Sequence, residues 1–281
     1  MAAKQLQEDV RGKVVLRMRG GAASPLILEV ATRFAHTFRG ELHGLFVENE
    51  ELLALAQMPF AREISLTGGH TRTLSLDVVR KEMEAASAAM EREFERLTRA
   101  ARVQARFEVV RGAAEEMLRK AMEDTGILAI GEPLALAAPG MFPELLAEFI
   151  NVTGIVVVGC EARRAHGPVL TVIDPSSDVA MLVDTAEQIA SEGAQEVILL
   201  ITGAQRSELE RLEAEARAAL DAGTHYRFER IGAVTSRSLG ALAQRHEGGL
   251  VIAHIGGPVA ESGIQASRFA CALDCPLLLL R

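Results

Sequence analysis

At 281 residues, 49% hydrophobic and 24% charged, the chain has room for two ordinary domains and the make-up of a globular protein, which excludes disordered and fibrous classes. A net charge of −8 argues against general affinity for nucleic acid or anionic lipid. No apolar run approaches the roughly 20 residues of a membrane span, and the N-terminal stretch is polar where a signal peptide would be apolar. Three cysteines are an odd count, and only Cys271 and Cys275 lie close together, so a disulfide framework is not expected. The expected setting is cytoplasmic, without membrane insertion and with reduced thiols.

A short apolar strand is predicted over 14–18, followed by a turn at Gly20 and Gly21. Ser24 and Pro25 read as a helix start, with serine capping and proline in the first helical position; the helix runs to about Phe38 and ends at Arg39 and Gly40. A second strand is predicted over 40–47. A short helix within 50–64, broken near Pro59, turns Leu52, Leu53, Leu55 and Ala56 inward, and a polar loop fills 65–75. Helical spacing is clearest over 77–101, where Val78, Val79, Met83, Ala86, Met90, Phe94 and Leu97 recur among charges. Strand 103–110, helix 112–121 and strand 126–130 follow, then a proline-punctuated connection with one helix near 142–149 and a buried strand over 155–158.

Residues 160–167 have the small, polar character of a linker, which divides the chain into domains over 1–160 and 168–281. Beyond it, strands at 169–173, 196–201, 225–231, 250–254 and 276–280 alternate with helices at 177–192, 205–222, 233–246 and 262–273. Each half opens and closes on a buried apolar strand, a repeat too long for a solenoid unit. The expected fold class is α/β, with two doubly wound parallel-sheet domains in tandem.

The element order, the long helix before the third strand, Asp174 after Val172 and Ile173, and the ending from Cys275 and Pro276 through Leu280 together resemble the universal stress protein family in its two-domain form. The segment from Leu45 through Leu53 to Glu63 is similar to the one after the second strand in such domains. The resemblance implies a stress-response binding or regulatory protein, with its two domains associated as a pseudo-dimer through sheet edges and last strands, and leaves room for a further homodimer.

It also implies where a nucleotide would sit. Binding members carry G-x-x-G, nine residues, then G-S or G-T after the fourth strand, so that backbone N–H groups and a helix N-terminus meet phosphate. Here the stretch from His254 to Ser267 offers Gly256, Gly257, Gly263 and Ser267 at a different spacing; Pro258 removes a donor and Glu261 adds negative charge. Asp174 corresponds to the residue facing the adenine end, and the set Asp174, Pro175, Ser176 and Ser177 also suits a turn and helix cap. Asp174, Gly256, Gly257, Gly263 and Ser267 are thus the candidate ATP or AMP contacts.

The first domain ends its first strand in Arg19, and its equivalent loop, 131–140, lacks serine and threonine, so nucleotide is not expected there in the family manner. The run from Arg19 to Ser24 only partly matches the S-G-G-x-D-S loop of ATP pyrophosphatases, and a glycine turn with a serine cap accounts for it. The histidines show no i, i+4 pair for a metal; His254 lies near the crevice, His43 reads as structural and Cys271 as core. No catalytic elbow, Walker loop or dinucleotide fingerprint is present. Function is left between a binding protein for a small ligand or protein partner, an adenine-nucleotide-dependent enzyme, and a regulatory partner of a transporter or sensor.

Overall fold

The computed structural model describes residues 13–18, 25–64, 71–112, 125–131 and 152–281. In the first half, β1 (Lys13–Met18), α1 (Pro25–Thr37), β2 (Leu42–Asn49), α2 (Glu50–Ala56), β3 (Arg62–Ile64), β4 (Thr71–Thr73), α3 (Leu76–Ala101), β5 (Ala105–Gly112), β6 (Thr125–Gly131) and β7 (Gly154–Val158) follow in order. In the second come β8 (Val169–Ile173), α4 (Val179–Gly193), β9 (Val197–Ile201), α5 (Arg206–Ala219), β10 (Tyr226–Arg230), α6 (Ser236–Arg245), β11 (Leu250–His254), α7 (Gly263–Ala272) and β12 (Leu277–Leu280).

Ten strands form one sheet in the order β10-β9-β8-β11-β12-β7-β6-β1-β2-β5, so each half repeats the same path: first strand central, second and third to one side, fourth and fifth to the other. Pairing is parallel within each half and antiparallel where the last strands meet, with Leu277 opposite Val157 and Leu280 opposite Gly154. The junction strands are buried throughout, the signature of a sheet covered on both faces. Alternate strand residues feed two apolar layers. Val14, Leu16, Val169 and Ile173 pack with Ile27, Phe94, Leu182 and Leu212 of α1, α3, α4 and α5. Val15, Leu170 and Val172 pack on the other side with Leu239 of α6 and Phe269 of α7.

The halves also meet through α1 and α4. Arg33 donates to the carbonyls of Ala165 (2.6 Å) and Ile189 (3.2 Å) and to Gln195 Oε1 (2.7 Å). Thr37 donates to Glu192 at 2.6 Å, Gln188 donates to the Thr37 carbonyl, and His36 lies 2.7 Å from Glu192. Both helices end alike, on a residue in the left-handed region, Arg39 and Ala194, each at φ 49°.

Three expectations need correction. Only 50–56 of the predicted 50–64 helix is helical, and the polar loop at 65–75 contains part of a hairpin, in which Arg62 pairs with Thr73 and Ile64 with Thr71. After Pro59 the chain instead takes the Ala61 carbonyl to the Leu74 N–H, which closes the hairpin stem. Leu52 and Leu55 do not turn inward; they are exposed, because this seven-residue helix lies on α3 and not on the sheet. Cys271 is half-buried where a core position was expected, while Cys275 is the buried thiol, its pKa pushed up to about 12 by loss of solvent and then by Asp274. The helices expected over 112–121 and 142–149 lie, apart from Gly112 in β5, outside the described residues, as do Arg19, Gly20, Gly21 and Ser24.

Candidate functional site

In each half the crossover changes sides of the sheet between its first and fourth strands, which splays the loops after them and creates the crevice where open α/β sheets take ligands. In the second half these loops follow β8 and β11. Asp174, at the end of β8, is 4% exposed. Its carboxylate accepts the Ser176 N–H at 2.9 Å, the Ser177 hydroxyl at 2.9 Å and the Ser176 hydroxyl, while its own N–H donates to Ser177 Oγ at 3.1 Å. The turn-and-cap chemistry of this sequence therefore occupies Asp174 from within its own segment. Helix α4 begins one turn later, capped by Asp178, which accepts the Met181 N–H.

The glycine loop comes against Asp174. A Cβ on Gly257 would lie 2.6 Å from Asp174 Oδ2, so only glycine lets the two loops approach this closely. Gly256 sits at φ 97°, a conformation that favours glycine. Its N–H donates to the Ala260 carbonyl at 3.0 Å, the Gly257 N–H to the His254 carbonyl at 3.3 Å, and the Ala260 N–H to the Gly257 carbonyl at 3.0 Å. Gln265 closes the far side by donating its side-chain amide to the Pro258 carbonyl at 2.5 Å. The two glycine N–H groups expected to face phosphate are thus spent inside the loop.

Gly263 is the buried first residue of α7, behind the Ser262 cap, and Ser267 lies half-buried one turn further on. The structure therefore brings Asp174 and Gly257 into contact and places Gly263 and Ser267 along the adjoining helix. His254 ends β11 with Nδ1 buried and without a hydrogen-bond partner. A cleft of about 330 Å³ opens beside this loop between the starts of α6 and α7, lined by Thr235, Ser236, Ser262, Ile264, Gln265 and Arg268 among others; none of the five candidate residues lines it. Gln265 was missed from sequence, although Ser262 followed three residues later by glutamine is a helix-start signature. In the first half only Gly131 of the corresponding loop is described, half-buried against Ile27.

No family model matches the chain, and no curated protein matches it. Solved structures do. A universal stress protein from Archaeoglobus fulgidus DSM 4304 superposes with a TM-score of 0.64 at 16% identity, over 97% of this chain and 97% of that one. The chain has the tandem universal stress protein fold. A functionally unknown protein from Pseudomonas aeruginosa PAO1 (TM-score 0.59, 14% identity, 99% of this chain and 94% of that) shares it. So does the cytoplasmic domain of a prokaryotic cation chloride cotransporter (0.55, 12%, 95% and 94%). At these identities the universal stress protein likeness extends to the fold alone. No helix among the described residues is long and apolar enough to cross a membrane.

Proposed function

We propose that this chain is a binding and regulatory protein of universal-stress-protein type that acts through a protein partner, with its second-half crevice closed to nucleotide in the described conformation. One observation carries the reading: Asp174 and the N–H groups of Gly256 and Gly257, which a nucleotide would need, are all satisfied within their own loops. A phosphate entering there must break these bonds without the return that a preformed cradle gives. That the same fold serves as the cytoplasmic domain of a cotransporter supports a regulatory place beside a larger partner.

The alternative is a nucleotide-bound state in the second half, favoured by Asp174 and Gly257 meeting at the switch point beside the start of α7. It requires 255–261 to open. Calorimetric titration of the full chain with ATP, ADP and AMP, repeated on Asp174→Ala, separates the two. The expected result is no saturable heat up to millimolar nucleotide; saturable binding that weakens in Asp174→Ala would replace the partner reading with the nucleotide one.

A further inference from the structure

Six of the nine large apolar side chains exposed among the described residues fall within 27 positions of the first half: Leu52, Leu55, Met58, Phe60, Ile64 and Val78. Phe60 is 77% exposed and Ile64 67%. They share one structural arm. Leu52 and Leu55 lie on α2, Met58 and Phe60 in the turn after it, Ile64 on β3, and Val78 in the first turn of α3, against which α2 rests. Exposed apolar area concentrated in this way, on the scale of a few hundred Å², marks an interaction surface.

The arm also carries a hairpin of three residues per strand, exposed at all six positions. A two-stranded hairpin is marginal in water without a surface to pack on. Here it is tied down by the Leu74 to Ala61 hydrogen bond and by Arg72, which pairs with Glu63 across the strands and with Glu82 of α3 at 2.7 Å.

We propose that this arm is a self-association surface, on which two copies of the chain pack face to face about a two-fold axis. The charges around it select that occupant. Arg62, Glu63, Arg72 and Glu82 give two positive and two negative groups beside the apolar residues, so a second copy meets no net repulsion and each sign has its opposite available across the axis. An anionic membrane is a poor occupant for a chain of net charge −8 whose apolar patch is not set in a basic face. A stable pair buries roughly 800 Å² on each partner, and six large side chains with both faces of an exposed hairpin are of that order. Association here leaves the β7–β12 junction and the second half untouched.

Sedimentation velocity of the full chain, from micromolar to hundreds of micromolar, tests this together with the Phe60→Glu/Ile64→Glu double variant and with Tyr226→Glu on the exposed edge of β10. The expected result is a concentration-dependent dimer in the parent and in Tyr226→Glu, and a monomer at every concentration in the double variant. Far-UV circular dichroism and the melting midpoint should match the parent, because both arm positions are exposed. A parent chain that is monomeric throughout overturns the proposal, as does a dimer that survives in the double variant or is lost in Tyr226→Glu.

Discussion

The two halves follow one path through the sheet yet differ in what they expose. After its second strand the second half needs only a short turn before α5, a helix of 14 residues, and its exposed large apolar residues are the isolated Tyr226 and Ile264. The first half inserts α2 and a hairpin at the same point and extends the following helix to 26 residues, and there most of the exposed apolar surface gathers. The edge strands kept the same triplet, Arg106, Phe107 and Glu108 in β5 and Arg227, Phe228 and Glu229 in β10. Both phenylalanines lie under a helix: Phe107 meets Phe94, and Arg217 sits over Phe228. Divergence is therefore confined to a connection whose ends the sheet holds in place, while the strands and the helices laid on them kept the packing of the repeat.

The hardest blow to the join between the halves falls at Gly159. A Cβ there would lie 2.0 Å from the Ala270 carbonyl at the end of α7, a backbone contact that cannot swing away. Gly159→Ala is expected to cost about 3 kcal/mol, the upper end for overpacking, read as a lower urea midpoint. Gly223, with nothing within 4 Å of its Cβ position, is the control: alanine there should leave the midpoint within about 0.5 kcal/mol of the parent. Equal effects at the two sites would show that the linker does not lie against α7 in solution.

Arg33 offers a finer cut, because it acts between the halves and not inside either. Burial lowers its pKa, and Glu192 and then Glu29 oppose that effect. Arg33→Met keeps the aliphatic stem but leaves the Ala165 and Ile189 carbonyls and Gln195 without its donors, at an expected loss of about 2 kcal/mol. The informative readout is cooperativity: a single unfolding transition in the parent should broaden or divide in the variant, as the halves lose part of what couples them. An unchanged, single transition would assign the coupling to the β7–β12 pairing alone.

Strand and helix periodicity carried most of the fold in the sequence, since buried strands such as 169–173 and 250–254 read as apolar runs and the long helix showed its own spacing. The arm was not legible. Leu52, Leu53 and Leu55 form an apolar cluster that suggests burial, and nothing local shows that the helix bearing them lies on another helix and not on the sheet. The candidate site was half legible. The turn chemistry of Asp174 was visible in its neighbouring serines, whereas the inward hydrogen bonds of Gly256 and Gly257 depend on the Gly256 backbone angle and on Gln265, which pattern alone does not rank. Arg33 gave no signal, because its partners lie more than 130 positions away.

The smallest expected effect tests the first half on its own. His43 of β2 is 2% exposed, with Nε2 3.0 Å from Glu108 and Nδ1 buried without a partner. Its pKa lies below the ordinary 6.5, chiefly through burial and then through Lys13, with Glu108 pulling the other way. The unfolded chain therefore takes up this proton at a higher pH than the folded one. Above the unfolded value His43 contributes no pH dependence; as pH falls through about 6.5 the folded state loses ground, and the loss levels off once the folded His43 also protonates. His43→Gln keeps a donor for Glu108 and removes the titration, so its melting midpoint should fall less than the parent's between about pH 7.5 and about pH 5.5. Parallel curves for parent and variant would mean that His43 reaches water in the folded state, and that this side of the first-half sheet is more open than its second-half counterpart under α6 and α7.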